Sequence, residues 1–211
     1  MTRPRIPRLG LYALTPDQPA SFAALLDGLE AALRGGAGLV QYRRKSVAPE
    51  TALAELRAAK ALCEQYQAPL IVNDSVELSL AAQVAGVHLG KDDALLEEAR
   101  RRLGPSAIIG VSCYDSLGRA IDAERGGASY VAFGSLFPST TKPGAVRCPV
   151  ETLTRAREEL SIPVIAIGGI TPDNAAALIA AGATHLAVCG ALFDAADPHA
   201  AARAISDLFQ A

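Results

Sequence analysis

Residues 163–190 read PVIAIGGITPDNAAALIAAGATHLAVCG, and this stretch decides the fold. PVIAIG (163–168) and HLAVCG (185–190) are short, nearly continuous apolar runs, the pattern of parallel strands covered on both faces. Between them Thr171 stands as a helix N-cap with Pro172 at the first helical position. The helix runs towards Gly182 in AGATHL, where a residue without a Cβ can take the left-handed conformation that ends a helix. One strand–helix–strand unit is therefore complete within this stretch.

The same unit recurs on the N-terminal side. Further strand-like runs are GLYALT (10–15), GLVQYR (38–43), PLIVND (69–74), GVHLG (86–90), AIIGVS (107–112) and YVAFG (130–134), which brings the total to eight. The intervening segments carry helical periodicity. In 20–34, Phe22, Leu25, Leu26, Leu29 and Leu33 share one face; in 49–66, Leu53, Leu56, Leu62 and Tyr66 do the same. A last helix, 198–210, carries Ile205, Leu208 and Phe209. Strands two, four, six and eight are each entered through a glycine (GGAGLV, VAGVHL, GGASYV, AGATHL), read as a helix terminator. Gly36, Gly86, Gly127 and Gly182 lie 50, 41 and 55 residues apart, one quarter-barrel per interval. Eight βα units in one domain predict a single-domain (β/α)8 TIM barrel over 1–211, with 1–9 as an N-terminal extension. A doubly wound sheet would have fewer strands and a glycine-rich turn after the first, where LYALTPDQP stands instead.

Composition narrows the function classes. The chain has 211 residues, half of them hydrophobic and a fifth charged, with net charge −2, an ordinary balance for a globular protein. It lacks the basic excess of a nucleic-acid binder and the long apolar run of a membrane span. No apolar segment follows the charged start MTRPRIPRLG, so no signal peptide is read and a cytoplasmic address is expected. Cys63, Cys113, Cys148 and Cys189 form no CxxC pair, and His88, His185 and His199 are scattered. Free thiols are expected, with Cys189 read as packing.

The polar residues gather at the C-terminal strand ends, where such barrels do chemistry. Gln41, Arg43 and Lys45 alternate after strand two and are expected on one face. Asn73 and Asp74 end strand three; Lys91, Asp92 and Asp93 follow strand four; Ser112 ends strand five. Gln41, Arg43, Lys45 and Lys142 suit phosphate groups. Asp74 and Asp93 are hard oxygen ligands of the kind that hold Mg²⁺ together with substrate phosphates. Solvation and mutual pairing of a charged barrel mouth is the plainer alternative. Gly168 and Gly169, before the Thr171 N-cap, offer backbone N–H groups to a second anion. His88, mid-strand, is read as a hydrogen-bonded barrel histidine rather than a catalytic one. The loop 135–149 after strand six is long for a βα connection, which predicts a mobile lid.

Taken in order, LYALT, VQYRRK, IVND, GVHLGKDD, GVS, FGSLFPSTTKPGA and IPVIAIGGI resemble the thiamine-phosphate synthase family over roughly residues 10–195. The resemblance implies a transferase that joins a pyrimidine diphosphate to a thiazole phosphate with Mg²⁺ as cofactor. It implies a pyrimidine-diphosphate site at Gln41, Tyr42, Arg43, Arg44, Lys45, Asn73, Ser112 and Lys142, of which Arg43, Lys45, Ser112 and Lys142 would be catalytic. It implies Mg²⁺ ligands at Asp74 and Asp93, with Asp92 adjacent, and a thiazole-phosphate site at Ser139, Thr140, Thr141, Gly169, Cys189 and Gly190. The family's T-P-T-K reads Ser139-Thr140-Thr141-Lys142 here, a hydroxyl for a hydroxyl. Where the family has Val-Ser or Ile-Ser, Cys189-Gly190 stands, so a phosphate there would rely on backbone N–H alone. Small-molecule substrates are the implied partners, and a homo-oligomer is compatible with the sequence. The nearest rival is a thiazole tautomerase of the same superfamily, whose members often have His where Ser135 stands. A sugar-phosphate barrel enzyme and a non-catalytic thiamine-precursor binder are the others.

Overall fold

The computed structural model describes residues 6, 9–90, 95–138, 144 and 146–210. Eight strands are present where apolar runs predict them: β1 (Gly10–Leu14), β2 (Ala37–Tyr42), β3 (Leu70–Asn73), β4 (Gly86–Leu89), β5 (Ile108–Tyr114), β6 (Tyr130–Phe133), β7 (Val164–Ile167) and β8 (His185–Val188). They pair in sequence order, all parallel, and β8 returns to β1 to close the barrel. The helices that follow the strands are α1 (Phe22–Arg34), α2 (Pro49–Gln65), α3 (Val76–Ala82), α4 (Leu96–Leu103), α5 (Leu117–Arg125), α6 (Glu151–Glu159), α7 (Pro172–Ala180), the short α8 (Gly190–Phe193) and α9 (Pro198–Ser206), with a 3₁₀ turn at Asp207–Phe209. Among the described residues no helix is long and apolar enough to cross a membrane.

The period of two along each strand splits the core into layers. Tyr12, Leu14, Leu39, Ile71, Tyr130, Ala132, Ile165 and Ala187 fill the barrel interior. Val40, Tyr42 and Val72 point the other way and pack with Leu56, Ala59 and Cys63 of α2. The largest outer cluster joins Val131, Phe133, Val164 and Leu186 to Leu153, Leu178 and Ile205 of the helical ring. Gly110 has a steric task inside the barrel: a Cβ there would lie 1.9 Å from Tyr130 Cζ, so the bare backbone makes room for that ring.

Two expectations are corrected. Gly36, Gly127 and Gly182 do have positive φ, but Gly86 does not. Gly86 is the first residue of β4, and α3 is ended by Gln83 in the left-handed conformation (φ 52°). Gly86 is needed for close approach, since a Cβ would fall 1.8 Å from the Ile108 carbonyl oxygen. Gln41, Arg43 and Lys45 also fail to share one face to the end. β2 stops at Tyr42, so the strand period no longer governs Lys45.

Candidate active site

The C-terminal mouth of the barrel opens into a cavity of about 370 Å³. A chain of hydrogen bonds crosses its floor. Gln41 Nε2 donates to Tyr12 Oη (2.6 Å), and Tyr12 Oη lies 2.9 Å from Tyr130 Oη. Tyr130 Oη is 2.8 Å from His88 Nδ1, and His88 Nε2 is 2.8 Å from Ser112 Oγ. Five side chains from β2, β1, β6, β4 and β5 are thus linked in series. His88 is hydrogen-bonded on both ring nitrogens and stacks on the Tyr130 ring, centroids 5.6 Å apart. Burial pushes both tyrosine phenols above their ordinary range, because a phenolate in the barrel would lose its hydration.

The rim above this floor is built by loops. Arg43 enters the cavity while its backbone N–H donates to Thr15 Oγ1 (2.8 Å). The β5–β6 register shifts between Ser112 and Tyr114 at the end of β5, and both side chains line the cavity. Arg119 secures that end: its guanidinium donates to the Ser112 and Gly90 carbonyls (2.8 and 2.9 Å) and lies 5.9 Å over the Tyr114 ring. On the far side Gly168 and Gly169 both take positive φ and lead into α7. There Thr171 and Asn174 form a reciprocal capping box, and Asn174 Nδ2 donates to the Gly169 carbonyl (3.0 Å). The N–H groups of Gly169, Ile170, Gly190 and Ala191 make no hydrogen bond among the described residues, and all four residues line the cavity. These are exposed donors suited to an anion.

A second, smaller cleft of about 260 Å³ lies beside the first and shares Asn73 with it. Lys45, Asp74 and Ser75 line it. Lys45 Nζ pairs with Asp74 Oδ2 at 2.5 Å, and the Lys45 backbone N–H is held by Asp17 Oδ1. Asp74 takes a positive φ of 67°, and its N–H donates to the His88 carbonyl (2.8 Å). A strained non-glycine residue at a strand end is the kind of feature functional sites retain.

Of the residues singled out from sequence, Gln41, Arg43, Asn73, Ser112, Gly169, Cys189 and Gly190 line the main cavity. Lys45 and Asp74 line the adjoining cleft. Asp93, Asp92, Ser139, Thr140, Thr141 and Lys142 lie outside the described residues. Tyr42 and Arg44 do not line the main cavity but border the adjoining cleft with Lys45 and Asp74. Tyr42 points to the outer layer and its Oη donates to Glu55 Oε2 (2.6 Å), while Arg44 Nη1 sits 3.5 Å from the same carboxylate. Desolvation first, then the Glu55 carboxylate, raises the Tyr42 phenol above its ordinary value. This buried trio ties β2 to α2. Tyr42→Phe should therefore cost about 1–2 kcal/mol of stability, read as a lowered Tm.

Cys189 faces the cavity between Arg43 and Asp194. Burial, and secondarily the Asp194 carboxylate, pushes its thiol up to about 11, against the pull of Arg43. It is thus a protonated, weakly nucleophilic group at neutral pH. Cys189→Ala should leave the affinity for an anionic ligand of this cavity within about threefold, because the donors there are the backbone N–H groups of Gly190 and Ala191; a much larger loss would assign the sulfur a contact. Sequence reasoning missed Tyr12, Tyr130, Tyr114 and Asp194. The hydroxyls of Tyr12 and Tyr130 were the available signal: an inward-facing tyrosine needs a polar partner.

Known proteins resemble the chain over most of its length. The family described as thiamine monophosphate synthase matches residues 11–192. A thiamine-phosphate synthase of Thioalkalivibrio sulfidiphilus is 53% identical over 201 residues, 95% of each chain. One of Methylobacillus flagellatus is 50% identical over 210 residues, covering 99% of this chain and 100% of that one. Among solved structures, a thiamine phosphate pyrophosphorylase from Pyrococcus furiosus superposes with a TM-score of 0.86 at 33% identity over 96% of both chains. With most of its length matched in this way, the chain belongs to the thiamine monophosphate synthase family.

Proposed function

We propose that the chain couples 4-amino-2-methyl-5-(diphosphooxymethyl)pyrimidine to 4-methyl-5-(2-phosphooxyethyl)thiazole, giving thiamine phosphate and pyrophosphate. One observation carries this reading: a single mouth has uncharged hydrogen-bonding groups on its floor and two separated anion-binding edges. Arg43, with Lys45 and Asp74 in the adjoining cleft, forms one edge on the β2–β3 side. The N–H groups of Gly169, Ile170, Gly190 and Ala191 form the other, across the barrel after β7 and β8. A pyrimidine between Gln41 and Ser112 sends its diphosphate towards the first edge, and a thiazole phosphate anchors on the second.

The reaction asks little covalent chemistry of the protein. The bond between the pyrimidine methylene and oxygen breaks, pyrophosphate keeps the electron pair, and the thiazole nitrogen attacks the methylene carbon. Arg43 and Lys45 stabilise the charge that grows on the departing diphosphate; Lys142 is assigned the same task from sequence. The walls hold the two rings at attack distance, and apolar Leu14, Ala132 and Ile167 keep water from the methylene.

Asp74, with Asp93, would hold Mg²⁺. The described part of this donor set fits: one carboxylate stands at the strand end beside Asn73, a hard oxygen donor of the kind that holds Mg²⁺ together with substrate phosphates. When bound, it supplies positive charge to the pyrophosphate.

Incubation of the purified protein with both substrates and Mg²⁺ should yield thiamine phosphate and pyrophosphate in equal amounts. Removal of divalent ions with a chelator should stop the reaction, and added Mg²⁺ should restore it. Recovery of both substrates unchanged, or of the hydrolysed pyrimidine alone, would overturn the proposal.

A further inference from the structure

β2 ends at Tyr42, yet Arg43 and Lys45, the two cations of the proposed diphosphate edge, lie beyond it. The outermost backbone bond between β1 and β2 runs from the Thr15 N–H to the Gln41 carbonyl (3.0 Å). In an evenly spaced parallel ladder, the Arg43 N–H would next meet the Thr15 carbonyl and the Lys45 N–H the Asp17 carbonyl. Both rungs are made, but by side chains. The Arg43 N–H donates to Thr15 Oγ1 (2.8 Å), and the Lys45 N–H donates to Asp17 Oδ1 (2.5 Å). Asp17 Oδ1 also accepts from the Ser46 N–H and from Ser46 Oγ, each at 3.3 Å. The local sequence explains the exchange. Pro16 stands between the two acceptors; it has no N–H for a ladder, so β1 cannot run on as a regular strand.

We infer that Thr15 and Asp17 are positioning residues, whose side-chain oxygens continue the β1–β2 ladder past the strand ends and so fix where Arg43 and Lys45 stand. The inference rests on the reading of those two cations as the diphosphate edge. Asp17 lines neither the main cavity nor the adjoining cleft, so it acts on a ligand through the residues it holds. Lys45 is thereby tied at both ends, its N–H to Asp17 and its Nζ to Asp74. That matters because its side chain is 51% exposed, and a long exposed side chain loses rotamer freedom when it must order around an anion. Thr15 is 1% exposed and lines the main cavity. Its hydroxyl oxygen gives the Arg43 N–H a partner in a wall where an unmade bond would be costly.

Amide hydrogen exchange followed by NMR reads the two bonds directly. In the parent the Arg43 and Lys45 amides should exchange at least about a hundredfold more slowly than in an unstructured chain, although both lie outside the strand. Asp17→Ala should speed exchange at Lys45 by about tenfold or more and leave Arg43 protected. Thr15→Val, close to threonine in shape but without the oxygen, should free Arg43 instead. The Kd of inorganic pyrophosphate, measured with Mg²⁺, reads the consequence. Asp17→Ala should weaken binding by about tenfold, because the cations no longer stand where the anion needs them. Asp17→Asn keeps an acceptor oxygen and drops the charge, so it should stay within about threefold of the parent. Unprotected amides in the parent would overturn the inference, as would unchanged pyrophosphate binding in an Asp17→Ala variant whose Lys45 amide is freed. Equal losses in Asp17→Asn and Asp17→Ala would overturn it too, since Asp17 would then act by charge. Should Thr15→Val fail to fold, the partly exposed Asp17 decides the question. The parent's formation of thiamine phosphate is measured separately. If it forms product while the Asp17 variants bind pyrophosphate alike, the inference alone fails; if it forms none while amides and affinities respond as expected, the substrate reading alone fails.

Discussion

Asp74→Asn is expected to lower the coupling rate by roughly a thousandfold while leaving the fold intact. Asparagine is the informative replacement because Asp74 sits at φ 67°, a conformation Asn tolerates better than Ala, so backbone strain is not added to the loss of charge. The variant removes the negative charge that the proposal places beside Mg²⁺ and weakens the hold on Lys45, whose Nζ is 2.5 Å from Asp74 Oδ2. That pair is partly exposed, 51% and 29% at its two side chains, and such pairs are worth under about 1 kcal/mol. Tm should therefore move by no more than a few degrees. The loss should fall on kcat, with a raised Mg²⁺ requirement, because charge on the leaving group is greatest in the transition state. A variant that keeps near-normal activity at limiting Mg²⁺ would show that Asp74 holds no Mg²⁺.

The architecture was legible because parallel strands buried on both faces leave an unbroken apolar signature. Runs such as IIGV and VIAI need no partner to be recognised, and the caps at Thr171 and Gly182 bracket a helix from local chemistry alone. Gly86 was misread because sequence shows that a side chain is absent but not why; its reason is the Ile108 carbonyl across the ladder, 1.8 Å from where a Cβ would stand. The placing of Lys45 failed for a related reason, since alternation holds only while the strand lasts and β2 ends at Tyr42. Tyr42 itself faces the helical layer, where Glu55, thirteen residues on, takes its hydroxyl. The chain of hydrogen bonds across the floor was legible only as two strand tyrosines whose hydroxyls need partners. Tyr12 and Tyr130 lie 118 positions apart, and each sits in a run that reads simply as apolar strand. His88 was readable as a hydrogen-bonded barrel residue, but its partners come from two other strands.

Gly169→Ala should produce the second large effect, on the opposite edge of the mouth. A Cβ at this position would lie 2.3 Å from the Pro138 carbonyl oxygen and 2.8 Å from Phe137 Cβ. Neither neighbour is the end of a flexible side chain. The residue also takes φ 64°, where a side chain is strained whatever the space. Either the turn between β7 and α7 shifts or the Phe137–Pro138 segment is pushed away, and both displace the N–H groups of Gly169 and Ile170. Loss of oriented donors to a phosphate should raise the KM for the thiazole substrate by about a hundredfold, on the order of 2–3 kcal/mol for charge-assisted hydrogen bonds. Pyrimidine binding, anchored on β2 and β5, should change little. Folding should suffer too, by about 1–3 kcal/mol for the strained backbone, so the kinetics belong at a temperature where the variant stays folded. A KM for the pyrimidine substrate equal to that of the parent, beside a raised thiazole KM, places the defect at the phosphate edge. An unchanged thiazole KM in a folded variant would mean that the Gly169 turn serves packing alone, and that the thiazole phosphate is held elsewhere.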